Sequence, residues 1–151
     1  MENIRLLDCT LRDGGYINQW DFGEKTIKSI IARLMEAGTD IIEVGFLRNC
    51  TWEKDKTLFP SMKELKKLLP KNPGNTQFGA MILHNQYDVE KLEPCDGTVN
   101  IIRVTFHDYD IREGLAFCAK VKGKGYQLFV NPINIMGYSD RQLLQLLEKV
   151  N

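Results

Sequence analysis

The 151-residue sequence predicts an α/β fold with a parallel sheet of about five βα units. Short apolar runs of strand length alternate along the chain with longer segments whose apolar residues recur at helical spacing. The run Val99 to Phe106 is almost continuously apolar, as expected of a strand covered on both faces. No internal repeat or low-complexity linker breaks the alternation, which implies parallel strands joined by right-handed crossovers within a single domain, 1–151. Pattern alone does not separate an open doubly wound sheet from a barrel.

The elements follow in order. Ile4 to Leu7 reads as a buried first strand that ends in a Gly-rich turn, Arg12-Asp13-Gly14-Gly15. Ile27, Ile30, Ile31, Leu34 and Met35 fall at i, i+3, i+4, i+7 and i+8, so about Glu24 to Ala37 is an amphipathic helix stopped by Gly38. Ile41 to Phe46 is the second strand. Pro60-Ser61 starts a helix with Ser61 and Glu64 at capping-box spacing and Met62, Leu65 and Leu69 on its buried face. Gln77 to Leu83 is the third strand, a short helix spans about Tyr87 to Leu92, and Val99 to Phe106 is the fourth strand. A helix from about Ile111 to Lys122 leads to the fifth strand, Gln127 to Asn131. Ser139 and Gln142 then open a last helix carrying Leu143, Leu146, Leu147 and Val150 on one side.

Bulk properties narrow the partners. Twenty basic and twenty acidic residues cancel, so nothing marks a binder of nucleic acid or of an anionic membrane. The start Met1-Glu2-Asn3-Ile4-Arg5 lacks the basic and long apolar regions of a signal peptide, and no run approaches the roughly eighteen apolar residues of a membrane span. A cytoplasmic location is expected. Cys9, Cys50, Cys95 and Cys118 are scattered without a C-x-x-C pair and read as reduced thiols, not as a zinc cluster or disulfide framework. The turn lacks G-x-G-x-x-G spacing, which leaves a dinucleotide site poorly supported and no organic cofactor expected.

The chemistry concentrates in Asp8-Cys9-Thr10-Leu11-Arg12-Asp13-Gly14-Gly15, where two carboxylates, a guanidinium and a hydroxyl follow the first strand. In parallel α/β folds, the carboxyl edge of the sheet is where ligands bind. An Arg-Asp pair on the surface is the plain alternative, since such pairs are common and weak. Glu43 lies within an apolar strand, where an unpaired carboxylate is costly.

The string D-x-T-L-R-D-G, with Ile42-Glu43-Val44-Gly45 matching an I-E-x-G element about thirty residues later, resembles the metal-dependent aldolases, lyases and acyl-condensing synthases built on a TIM barrel. That family includes hydroxymethylglutaryl-CoA lyase and 4-hydroxy-2-oxovalerate aldolase. The resemblance implies the amino-terminal five-eighths of a (β/α)₈ barrel, a fold that takes ~250 residues. It implies a divalent-metal-dependent carbon–carbon lyase that runs a retro-aldol cleavage through an enolate. Asp13 would be the ligand to Mg²⁺ or Mn²⁺. Arg12 would stabilise the enolate oxygen, Glu43 would hold Arg12, and Asp8 and Thr10 would form the floor for substrate or serve only the fold. The small-molecule partner would be a hydroxy-keto acid or a hydroxyacyl-CoA.

Both histidines are expected near the carboxyl rim, His84 after the third strand and His107 after the fourth, and His107 is a candidate base or ligand. Asn131, with Asn134, is placed to bind a substrate carboxylate or carbonyl, or to satisfy the turn at Pro132. Gly15-Tyr16 stands where a related aldolase has a His base, which makes Tyr16 the candidate in its place, although tyrosine has a reference pKa of ~10. The family's H-x-H metal pair, carried on a later strand, has no counterpart within these residues. Two rival readings follow: an acyl-CoA-dependent condensing synthase, or a truncated, non-catalytic barrel acting as a binding module. A homo-oligomer, or association with a carboxyl-terminal barrel segment, is expected to cover the open edges of such a sheet.

Overall fold

A computed structural model describes residues 4–150. The expectation about a leader at Met1 to Asn3 falls outside them. In chain order the elements are β1 (Leu7–Asp8), α1 (Thr10–Asp13), α2 (Gly15–Asn18), α3 (Glu24–Glu36), β2 (Ile41–Leu47), β3 (Leu58–Phe59), α4 (Met62–Lys66), β4 (Gln77–Leu83), β5 (Ile101–Phe106), α5 (Ile111–Gly123), β6 (Gln127–Pro132) and α6 (Asp140–Val150). The strands pair in the order β1-β2-β4-β5-β6, with β3 also on β2, and every pairing is parallel. The sheet curls into a half-barrel, consistent with part of a TIM barrel.

The helix-facing side of the sheet forms the core. Ile27 and Ile31 of α3, Met62 and Leu65 of α4, and Phe117 and Val121 of α5 join Ile42, Phe78, Ile82, Ile102, Val104 and Phe106 in one buried cluster. Each such side chain contributes about 1.5–3 kcal/mol by leaving water, so this layer fixes the scaffold. Two buried groups make it pH-sensitive. Burial pushes the Cys118 thiol up to about 12, and burial with the nearby charges of Glu93 and Asp88 pushes the Tyr87 hydroxyl up to about 12. Both stay protonated in the fold while the unfolded chain ionises them from their ordinary values of 9.0 and 10.0. The unfolded state therefore binds fewer protons above about pH 9, and stability falls with rising pH. Urea midpoints are expected to drop steadily between pH 8.5 and 11, and to drop less in Cys118→Ala.

Several local expectations are corrected. The first strand is only Leu7–Asp8, and Ile4 and Leu6 are 97% and 64% exposed, not buried. Among the described residues β1 has one neighbour, β2, so nothing lies over the start of the apolar run. The Gly-rich turn is two short helical turns, α1 and α2, with Arg12 and Asp13 inside the first. β3 has no sequence signal beyond Leu58-Phe59, yet its ladder with Phe46 and Leu47 extends the edge that β1 leaves at Ile42. The helix after Ser61 stops at Lys66, and Ser61 makes no side-chain cap. The short helix expected over about Tyr87 to Leu92 is a single 3₁₀ turn, Val89–Lys91. The Ser139–Gln142 box does form: the Ser139 backbone N–H donates to Gln142 Oε1 at 2.9 Å, and Gln142 N–H donates to Ser139 Oγ at 3.4 Å. On α6 only Leu146 is buried, with Leu147 57% and Val150 44% exposed. All four cysteines are free, and no helix among the described residues is long and apolar enough to cross a membrane.

Candidate active site at the carboxyl edge of the sheet

Arg12 and Glu43 meet here. Arg12 Nε donates to Glu43 Oε1 at 2.6 Å, with Arg12 8% and Glu43 1% exposed. The other side of the same carboxylate is taken by Arg103, whose Nη1 lies 3.1 Å from Oε1 and 3.0 Å from Oε2. Arg103 Nη2 donates to Asn131 Oδ1 at 3.1 Å. One buried carboxylate thus serves two guanidiniums. The register explains how Arg103 reaches across β4: the residue of β4 paired with Glu43 is Gly79, which puts no side chain in the way. Arg103 went unremarked in the sequence, although it is the single charge in the apolar run Val99 to Phe106.

The α1 turn that carries Arg12 is fixed from three sides. Thr57 Oγ1 donates to the Leu11 carbonyl at 2.7 Å, and Trp20 Nε1 donates to the Arg12 carbonyl at 2.8 Å. Asp8 accepts from the Thr10 N–H and hydroxyl, each at 3.0 Å. Trp20 reaches its position because Gly15 lacks a side chain; a Cβ there would stand 2.0 Å from the indole ring. Gln19 and Trp20 both adopt left-handed backbone, φ 58° and 61°, which costs of order 1–3 kcal/mol per residue. The contacts of the indole with the Arg12 carbonyl, with Tyr16 at 4.9 Å and with Phe46 at 5.8 Å between ring centroids offset this strain.

A cavity of about 320 Å³ opens beside this cluster. Arg12, Tyr16, Trp20, Phe46 and Arg48 wall one side, and Met81, Thr105 and Asn131 the other. The Arg12 guanidinium lies 5.7 Å from the Phe46 ring centroid and also pairs with Asp13. Burial alone would lower the pKa of Arg12, but Glu43 and Asp13 more than offset it and hold it above its ordinary value. The cation is permanent. A groove of about 860 Å³ lies at the opposite, amino ends of the strands, between α3 and the 67–76 segment. It is larger but holds none of these groups; size alone does not mark chemistry.

The remaining predicted residues are placed as follows. Tyr16 and Asn131 line the cavity, whereas Asp8 and Thr10 bond one another and do not. His107 does not reach it: its ring stacks on Tyr109 at 4.9 Å. His84 turns to the helix side, with Nε2 3.5 Å from Asp110 Oδ2. Asp13 is about half exposed and also accepts from Cys9 Sγ at 3.2 Å, which with burial raises the Cys9 pKa. Among the described residues, no three His, Cys, Asp or Glu side chains converge as a metal site would need. Asp13 is one hard oxygen donor, and by themselves these residues do not fit a divalent ion that takes about six.

No protein-family model matches the chain, and no curated protein matches it. A solved structure described as "Crystal structure of the N-terminal domain of a putative aldolase from Bacteroides vulgatus" is similar to it, with a TM-score of 0.68 and 23% sequence identity. The match covers 97% of this chain and 60% of that one. The likeness is one of fold, and it defines the class: an α/β half-barrel built on a parallel sheet.

Proposed function

We propose that this chain supplies the Arg12-bearing, amino-terminal part of the catalytic barrel of an aldolase or related carbon–carbon lyase. The observation that carries the reading is the Arg12–Glu43–Arg103 cluster, buried at the carboxyl edge of a parallel half-barrel and opening onto a cavity. In a retro-aldol step the carbon–carbon bond of a β-hydroxy carbonyl compound breaks, and negative charge grows on the carbonyl oxygen of the departing enolate. A fixed guanidinium beside that oxygen favours the transition state over the ground state. Glu43 holds Arg12 through Nε and Asp13 takes Nη1, which leaves Nη2 without a side-chain partner among the described residues. To Tyr16, which lines the cavity, we assign the exchange of the substrate hydroxyl proton.

We further assign Asp13 as one donor to Mg²⁺ or Mn²⁺, with the other donors coming from outside the described residues. The same assembly would cover β1 and β6, which each have a single strand neighbour among the described residues. A further barrel segment, or a second copy of the chain, fits these edges. The test is cleavage of 4-hydroxy-2-oxo acids or hydroxyacyl-CoA with Mg²⁺ or Mn²⁺, by the 151-residue chain alone and joined to such a segment. Turnover is expected only in the joined form, and Arg12→Ala should lower its kcat by about 10²–10³. Turnover by the chain alone, abolished by Asp13→Ala, would overturn the assignment of the remaining donors to an outside segment.

A further inference from the structure

Arg48 is the cavity cation that none of the preceding roles uses. Arg12 and Arg103 share the Glu43 carboxylate and Asp13 adds to Arg12, but Arg48 makes no ion pair among the described residues. Its position is fixed by backbone: its N–H donates to the Phe59 carbonyl at 3.0 Å, continuing the β2–β3 ladder past Leu47. Along β2 the cavity side therefore runs from Glu43 at depth, past Phe46 under the Arg12 guanidinium, to Arg48 one pleat nearer the rim. Three guanidiniums face two carboxylates, so the site carries one uncompensated positive charge. A half-buried, unpartnered guanidinium at the mouth of a small cavity is suited to bidentate recognition of a carboxylate.

We propose that Arg48 reads a second carboxylate of the substrate, at the end remote from Arg12, and so makes this a site for small diacids. The roles given to the two ends rest on the lyase reading above; the anion preference does not. At about 320 Å³ the cavity lies at the low end of ligand-site volumes, roughly 300–1,000 Å³, which suits a compact acid.

The probe pair is 2-oxoglutarate and 2-oxovalerate, which share a chain length and differ in the distal carboxylate. Binding is read from Trp20 fluorescence in a Trp52→Phe background, since the sequence holds two tryptophans and Trp20 walls the cavity. The diacid is expected to bind about tenfold or more tighter, the order set by one charge-assisted pair. Arg48→Gln should reduce that preference to within about threefold while leaving 2-oxovalerate unchanged, and Arg48→Lys should keep part of it. No preference in the parent protein, or the same preference in Arg48→Gln, overturns the proposal. Inorganic phosphate binding tighter than the diacid also overturns it, because the cation would then serve phosphoryl groups. Failure of the lyase reading shows separately, as cleavage by the joined form that Arg12→Gln leaves at the parent kcat, with the preference for the diacid still in place.

Discussion

Replacing Glu43 with Ala is expected to cost about 3–5 kcal/mol of folding stability, the range for removing one partner of a buried ion pair. The loss is large because two cations depend on this carboxylate. Arg12, 8% exposed, would keep only Asp13, whose side chain is half in water, and Arg103 would keep only the neutral Asn131 amide. Removing either arginine alone is milder. Arg12→Ala leaves Glu43 held by Arg103 at 3.0 Å, and Arg103→Ala leaves it held by Arg12 at 2.6 Å. Urea or thermal denaturation of the three single variants and the double arginine variant tests this. Glu43→Ala should melt about 6–20 °C below the parent, given some 2–4 °C per kcal/mol at this size. The double variant should lose more than the sum of its singles, since only then is Glu43 bare. A Glu43→Ala protein within about 1 kcal/mol of the parent would mean that water or other groups replace the carboxylate without cost.

The same cluster shows what could be read from residues alone. Arg12 with Glu43 was legible because a carboxylate in an apolar strand demands a partner and the arginine came with a signature string. Arg103 obeys the same logic but comes with no signature string, and the run Val99 to Phe106 around it carries the apolar pattern of a strand buried on both faces. The strand–helix alternation gave the sheet, since its periodicities report which faces are covered. What failed is decided by tertiary context. Ile4 and Leu6 look like a buried strand, but at the edge of a half-barrel nothing among the described residues covers them. The Asp13-Gly14-Gly15 stretch reads as an open turn; it is helical because Gly15 makes room for an indole that ties the turn down. Arg48 carries no motif. Its meaning lies in which charges surround it, and only coordinates supply that.

Gly45→Ala is the second variant expected to have a large effect, and it links backbone geometry to the site. Gly45 has φ +155° in the irregular stretch of β2 between Glu43 and Phe46, and a Cβ there would lie 2.1 Å from the Thr57 carbonyl oxygen. That contact is with backbone, so it cannot be relieved by a side-chain rotation. The carbonyl it strikes accepts the Phe46 N–H at 3.0 Å, and the hydroxyl of the same residue holds Leu11 at the start of the Arg12 turn. Crowding and an unfavourable φ each cost about 1–3 kcal/mol, so a loss of about 4 kcal/mol is expected, and with it a melting temperature about 8–16 °C lower. Stability is not the whole consequence. Pushing Thr57 away loosens Leu11, moves Arg12 relative to Glu43 and shifts Arg48 through the β2–β3 ladder, so binding of keto acids should weaken even well below the melting temperature. Gly38→Ala is the matched control, because Gly38 also has positive φ but meets nothing within 4 Å. It should lose stability through strain alone and keep the site. If the two variants bind 2-oxoglutarate equally well, the Gly45–Thr57 contact does not position Arg12.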